Sequence, residues 1–211
     1  MASLRLVAHP PVIMMLHQMW VGPEMPAWIP PLIETWLTLH AHWDYRLWTE
    51  PPSLHNQQLW DDAEELSSAP WQFRSDVARY EILHRFGGVW VDVDMECLRP
   101  IDDLVAPAFL GWEVQGRWAN NAIMGAEPGH PFLAEAIDHL PRSAMRKGSN
   151  AMKSGPRFIT PIAKRHQVTI YDQGIFYPYA HNELHRSGEH FPDAYTVHHW
   201  HNQRRLREMP L

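Results

Sequence analysis

The stretch from Phe73 to Asp94 constrains the fold more than any other part of the chain. Phe73, Val77, Tyr80, Leu83 and Phe86 recur at three- and four-residue steps. That spacing lines one face of an α-helix and predicts a helix over residues 71–86. Gly87-Gly88 ends it, because glycine accepts the left-handed geometry that closes a helix. Residues 89–93 then read as a strand, with Val89, Val91 and Val93 on one face and Trp90, Asp92 and Asp94 on the other.

The rest of the chain repeats this alternation of strand and helix. Residues 12–16 are a short apolar run bounded by prolines and suit a strand buried on both faces, ending at His17. Residues 29–40 read as a helix and residues 45–48 as a second strand, giving a βαβ opening that favours a parallel sheet. Further strands are expected near residues 109–114, 122–126, 168–171 and 195–199. The acidic run Asp61, Asp62, Glu64, Glu65 reads as a solvated helix face. Residues 142–157, rich in basic and small side chains, read as a mobile loop.

A length of 211 residues suits one domain, residues 1–211. A net charge of −6 excludes a chain that captures nucleic acid by overall basicity. Cys97 is the only cysteine, which excludes a disulfide framework and a four-cysteine zinc site. The first residues lack the apolar core of a signal peptide, and nowhere do about 18 apolar residues follow one another. A soluble, intracellular protein is therefore expected.

Two carboxylates side by side repel unless one is protonated or a cation sits between them. Oxygen ligands of this type suit magnesium or manganese with positions left for phosphate oxygens. Taken singly, each element of the segment has a plain reading. Asp-x-Asp arises often in turns, and Asp76 and Arg79, three residues apart, make an ordinary helix ion pair worth a few tenths of a kcal/mol. Other chemistries are weaker. On a strand, Asp92 and Asp94 would stand about 7 Å apart, a spacing a glycoside hydrolase tolerates. His181 and His185 have helical spacing, but Glu183 falls off the face where a zinc hydrolase needs its base. Asp172-Gln173-Gly174 reads as a turn. With 11 tryptophans, a non-catalytic carbohydrate- or nucleic-acid-binding module is the alternative from a different class.

In combination the elements are far more specific. Ser75-Asp76-x-x-Arg79-Tyr80, a helix, Gly87-Gly88-x-Trp90-x-Asp92-x-Asp94 and then Glu96-Cys97-Leu98-Arg99-Pro100 resemble the DXD-motif sugar-nucleotide glycosyltransferases. That family contains yeast initiating mannosyltransferases and bacterial capsular polysaccharide transferases, and is distantly similar to clostridial glucosylating toxins. His17-Gln18-Met19-Trp20-Val21-Gly22, Asn121 to Ala126 with Gly129-His130-Pro131-Phe132, Ser154-Gly155-Pro156 and His198-His199-Trp200 resemble further landmarks of it.

The resemblance implies an α/β fold of the GT-A type, Rossmann-like, with a mixed, mostly parallel central sheet flanked by helices. It implies a retaining, metal-dependent transfer of a hexose from a UDP- or GDP-sugar, with Mn2+ or Mg2+ as cofactor. The acceptor it leaves open among a glycan, a lipid-linked sugar, a protein and a modified nucleic-acid base. Carried over by position, Trp20 stacks on the nucleobase beside Val21, and Asp76, Arg79 and Asn121 approach the donor sugar or ribose. Trp90, Asp92 and Val93 complete the donor contacts, Asp92 and Asp94 hold the metal, and His198 is its third ligand with His199 in reserve. Asp92, Asp94, Asp76 and Arg79 are the catalytic set. Lys153, Arg157, Arg204 and Arg205 are candidates to add positive charge at the diphosphate. After His-x-Trp the family usually continues Ser-Trp, whereas this chain continues His201-Asn202-Gln203-Arg204-Arg205.

Overall fold

The computed structural model describes residues 14–201; Arg204 and Arg205 lie outside them. In chain order the elements are β1 (Met15–Met19), α1 (Ile29–Leu39), β2 (Asp44–Trp48), α2 (Gln57–Asp61), α3 (Ala63–Leu66), α4 (Pro70–Phe86), β3 (Gly88–Val91) and β4 (Met95–Cys97). There follow β5 (Ala108–Val114), β6 (Trp118–Ala126), α5 (Pro131–Ala144), α6 (Asn150–Lys153), α7 (Pro156–Arg165), β7 (Thr169–Tyr171), α8 (Gln173–Phe176) and β8 (Thr196–His198).

Six strands form one sheet in the order β2-β1-β3-β6-β5-β7. β1 runs parallel to β2 and β3, β6 is antiparallel to β3 and β5, and β7 is parallel to β5. Only β6 opposes the rest, so the sheet is mixed and mostly parallel. Alternate side chains of β3 enter different cores: Trp90 joins Phe73, Val77, Leu83, Phe132 and Ile159 from α4, α5 and α7, while Val89 and Val91 join Trp36 of α1 and Phe176 of α8. Helices thus cover both faces, as a largely parallel sheet requires. No helix among the described residues is long and apolar enough to cross a membrane.

The helix over residues 70–86 and its glycine stop form as expected. Gly87 has φ +67°, and a Cβ on it would lie 2.5 Å from Pro128 Cδ; Gly88 has φ +90°, and a Cβ there would lie 2.5 Å from the Met15 carbonyl. The two glycines let α4 turn into the sheet centre without a clash.

Three expectations need correction. The first strand continues past Leu16 through Met19, because the polar side chains that read as its end are satisfied inside the fold; residues 12 and 13 lie outside the described residues. His17 Nε2 pairs with the Gly87 carbonyl at 3.0 Å and its Nδ1 accepts from Trp48 Nε1 at 3.2 Å. Burial holds this imidazole down at a pKa of about 4, although the Gly87 carbonyl opposes the shift. Second, the strand at residues 89–93 stops at Val91, and a turn carries Asp92 to Asp94. Third, residues 142–157 are not one loop: α5 runs to Ala144, residues 145–149 form a short connection, and α6 and α7 follow. Asn150 bonds Ser67 Oγ at 2.7 Å and the Ala69 carbonyl at 3.0 Å, so a residue that reads as flexible is a tether.

Candidate active site

The site lies where β3 ends. Asp92 is fixed by its own N–H, which donates to the Ala122 carbonyl at 2.8 Å across to β6, and by Trp90 Nε1, which donates to Oδ1 at 2.9 Å. Because the strand has ended, the argument from alternating faces does not apply to Asp92 and Asp94. A turn brings the carboxylates together instead. β4 then leaves the main sheet and pairs antiparallel with β8 in a two-stranded ribbon, with Met95 opposite His198. α1 holds the ribbon: Trp36 Nε1 donates to the Met95 carbonyl at 2.8 Å and the Cys97 N–H to Thr35 Oγ1 at 2.9 Å. Cys97 is buried as expected, and burial pushes its thiol up to about 12.

The ribbon's register delivers a histidine to the aspartates. His198 Nε2 lies 3.1 Å from Asp94 Oδ1, and ligand atoms of Asp92, Asp94 and His198 all fall within 4.8 Å of one another. His199, just past the end of β8, turns away and pairs with Glu96 Oε2 at 2.9 Å. The His198 ring lies 3.9 Å from that of Trp200, a bulky residue at φ +55°, a conformation costing about 1–3 kcal/mol. The Trp200 indole Nε1–H, which donates to the Tyr179 carbonyl at 3.2 Å, helps to hold it there.

Behind Asp92 stands a second group. Arg79 Nη2 lies 3.0 Å from Asp92 Oδ1 and 3.2 Å from Asp76 Oδ1, and Nη1 donates to the Asn121 carbonyl. Asn121 Nδ2 donates to Asp76 Oδ1 at 2.8 Å and to Tyr80 Oη at 3.0 Å; Ser154 Oγ donates to Asp76 Oδ2 at 2.6 Å. The ion pair read from the i,i+3 spacing therefore exists, but buried and shared with Asp92.

Burial and partners divide the three carboxylates. Burial raises Asp76 against the opposing pull of Arg79, Ser154 and Asn121. It raises Asp92 too, where Arg79 opposes and neighbouring Asp94 reinforces the shift. For Asp94 burial is outweighed by His198 and the His201 N–H, which bring it to about 2. His198 rises although burial lowers it, because Asp94 lies against it.

This donor set fits a divalent cation. The two carboxylates are oxygen ligands of the kind that suit magnesium or manganese, and the imidazole is a ligand of transition-metal ions. Their spread is near the roughly 4 Å kept by opposite ligands with bonds of about 2.1 Å. His198 Nδ1 is buried without a hydrogen-bond partner among the described residues, a ring nitrogen with coordination capacity to spare. The Asp92 side chain keeps 26% of its exposure against 13% for Asp94, so Asp92 is the more open carboxylate.

The remaining expected residues are distributed around this centre. Trp20 and Val21 follow β1 half-buried; the Trp20 N–H donates to the Trp48 carbonyl at 2.9 Å and its Nε1 to the Pro23 carbonyl at 2.7 Å. Trp90 is 1% exposed and reaches Asp92 through its indole N–H. Val93 is half-buried in the turn. Lys153 Nζ donates to the Leu66 carbonyl, and Arg157 lies over the Trp118 ring at 5.5 Å. His181 and His185 do not share a helix: His181 pairs with Glu113 Oε1 at 3.1 Å, and His185 is in a short 3-10 turn, Leu184–Arg186. Asp172 precedes α8 and accepts from Gln115 Nε2 at 2.7 Å.

Sequence reasoning missed Tyr80 and Ser154 as parts of the Asp76 network. It also missed Glu113, which a bulge in β5 sets to accept from Asn120 Nδ2 at 3.0 Å as well as to meet His181. The motif Ser-Asp-x-x-Arg-Tyr contained the signal for Tyr80; for Glu113 there was none.

Comparison with known proteins agrees with this geometry. Residues 29–109 match the family described as the glycosyltransferase sugar-binding region containing a DXD motif. Inositol phosphoceramide mannosyltransferase 3 of Schizosaccharomyces pombe is 33% identical over 134 residues, covering 61% of this chain and 37% of its own length. Inositol phosphoceramide mannosyltransferase 2 of the same yeast is 25% identical over 213 aligned residues, 95% of this chain and 61% of its own length. The chain thus spans between about a third and three-fifths of the length of these two yeast relatives. Among solved structures, the PaToxG glycosyltransferase superposes with a TM-score of 0.57 at 13% identity, over 73% of this chain and 68% of that one. The sheet, its flanking helices and this likeness make the fold GT-A, and the segment that matches the glycosyltransferase sugar-binding region contains both Asp92 and Asp94.

Proposed function

We propose that the chain moves a hexose from a UDP- or GDP-sugar to an acceptor, with retention of anomeric configuration and with Mn2+ or Mg2+ held by Asp92, Asp94 and His198. The observation that carries this reading is the convergence of those three side chains within 4.8 Å, beside a buried Asp76–Arg79–Asn121 network. The yeast relatives are mannosyltransferases by name, which favours mannose as the hexose.

When bound, the cation supplies Lewis-acid neutralisation of charge growing on the leaving diphosphate. The chain's own residues do the positioning. Arg79 fixes Asp92 from behind through Oδ1 and opposes the upward shift that burial gives its carboxyl, leaving the second oxygen to face a ligand. Asp76, with both oxygens already occupied by Asn121, Arg79 and Ser154, orients the floor on which Asn121 meets the donor sugar. Trp20 and Val21 flank the nucleobase, and Trp90 and Val93 shape the ribose end. Glu113 and His181, on the far side of Asn120, suit hydroxyls of the acceptor, whose class stays open among glycan, lipid-linked sugar, protein and nucleic-acid base.

The test is a screen of UDP- and GDP-sugars for manganese-dependent release of nucleoside diphosphate, with Asp94→Ala as control. Release in wild type and none with chelator or the variant supports the reading. Donor binding unchanged in chelator would overturn the metal assignment and favour a non-catalytic binding module.

A further inference from the structure

Away from the Asp-Asp-His cluster, α5 and α7 border a cleft of about 300 Å³. That is the lower end of the range for small-molecule pockets. His139, Arg142 and Arg146 reach it at three- and four-residue steps from α5 and the residues after it, and Arg157 and Arg165 from α7. Its floor is apolar, with Phe158 at 5% and Ile162 at 3% exposure. Four of the chain's arginines thus gather in one cleft of a protein whose net charge is −6.

The charges are not balanced locally. Glu135 pairs with Arg165 and with His166, the latter at 2.6 Å, and lies 3.4 Å from His139. Arg142, Arg146 and Arg157 have no carboxylate within ion-pair distance among the described residues, and Arg157 rests over the Trp118 ring instead. Guanidinium groups that converge without acids are held against mutual repulsion, and a phosphate, with oxygens matching their forked donors, relieves it. Met145, next to Arg146 in the chain, is 74% exposed.

We propose that this cleft is a second ligand site, built for a phosphate group and bound by Arg142, Arg146 and Arg157. The group is carried by a free phosphorylated metabolite or by a lipid headgroup, the chemistry being the same. The site is independent of the donor site, since none of these arginines touches Asp92, Asp94 or His198.

The experiment uses the full chain, with Arg142→Gln/Arg146→Gln and Arg157→Gln as variants of exposed residues whose thermal melting is first matched to wild type. One arm titrates inorganic phosphate and follows the Trp118 indole resonance by NMR. The other sediments the protein with phosphatidylcholine vesicles, with and without phosphatidic acid. Phosphate-induced shifts identify a free phosphate as the source; sedimentation with phosphatidic acid alone identifies a headgroup. In either case the double variant binds about tenfold more weakly or worse, a loss of about 1.4 kcal/mol. Binding of neither probe, equal binding by the variants, or equal sedimentation with neutral vesicles overturns the proposal. Nucleotide-sugar turnover by Arg142→Gln/Arg146→Gln is unaffected, so failure here is distinguishable from failure of the transferase reading.

Discussion

The two halves of the candidate site are built on different terms. On the helix side, Asp76, Arg79 and Asn121 spend their hydrogen-bonding groups on one another, on Ser154 and on Asp92. On the ribbon side, Asp94 and His198 meet through one contact, a ring nitrogen of His198 is left over, and the neighbouring Trp200 holds a costly backbone conformation. A closed network gives shape and has little left to offer a ligand; an open pair gives a ligand its coordination but contributes less to the fold. The closed network and the open pair are therefore separable by mutation.

The largest effect falls on the closed half. Arg79→Met leaves two buried carboxylates without their cation and costs about 3–5 kcal/mol of stability, read by urea denaturation. A loss below 1 kcal/mol would show that the network is not closed. On the open half, Asp94→Asn or His198→Ala lowers manganese-dependent turnover on the order of 10²–10³-fold, with a smaller stability loss than Arg79→Met. Reversed ranks on the two readouts would dissolve the distinction.

Acid separates the halves by sign. Asp94 has its folded pKa depressed to about 2 from 3.8, so the unfolded chain binds its proton first. Stability from Asp94 is present above about pH 4 and is lost as pH falls toward 2, about 2 kcal/mol in the metal-free protein. Asp76 and Asp92 are raised, so their protonation in the fold begins above 3.8 and offsets part of that loss. Carboxyl carbon shifts followed by NMR check the order: Asp94 is the last of the three to protonate as pH falls. The smallest effect belongs to His199, whose pair with Glu96 keeps 18% and 35% side-chain exposure. His199→Ala costs under about 1 kcal/mol and leaves metal-dependent donor binding intact; an effect equal to that of His198→Ala would reverse their assignment.

How much of this was legible depends on how far apart the partners stand in the chain. Helix, glycine stop and the aspartates lie within one segment, and local periodicity is enough to find them. The end of β3 at Val91 was hidden, because alternation continues through Val93 while the Asp92 N–H already turns to the Ala122 carbonyl. Ser154 meets Asp76 from 78 residues away, and Glu113 meets His181 from 68. No local pattern marks such partners. Residues 142–157 read as flexible for the same reason: the bonds of Asn150 and Ser154 are to distant residues, and polarity without visible partners looks like solvent exposure.

The ribbon of β4 and β8 also sets an order of assembly. During synthesis the six-stranded sheet has all its strands once Tyr171 has emerged, yet Asp94 then still waits for a histidine borne by β8. A polypeptide ending between Tyr171 and Thr196 would carry all six strands of the main sheet and lack His198, the side chain that the register of β8 sets against Asp94.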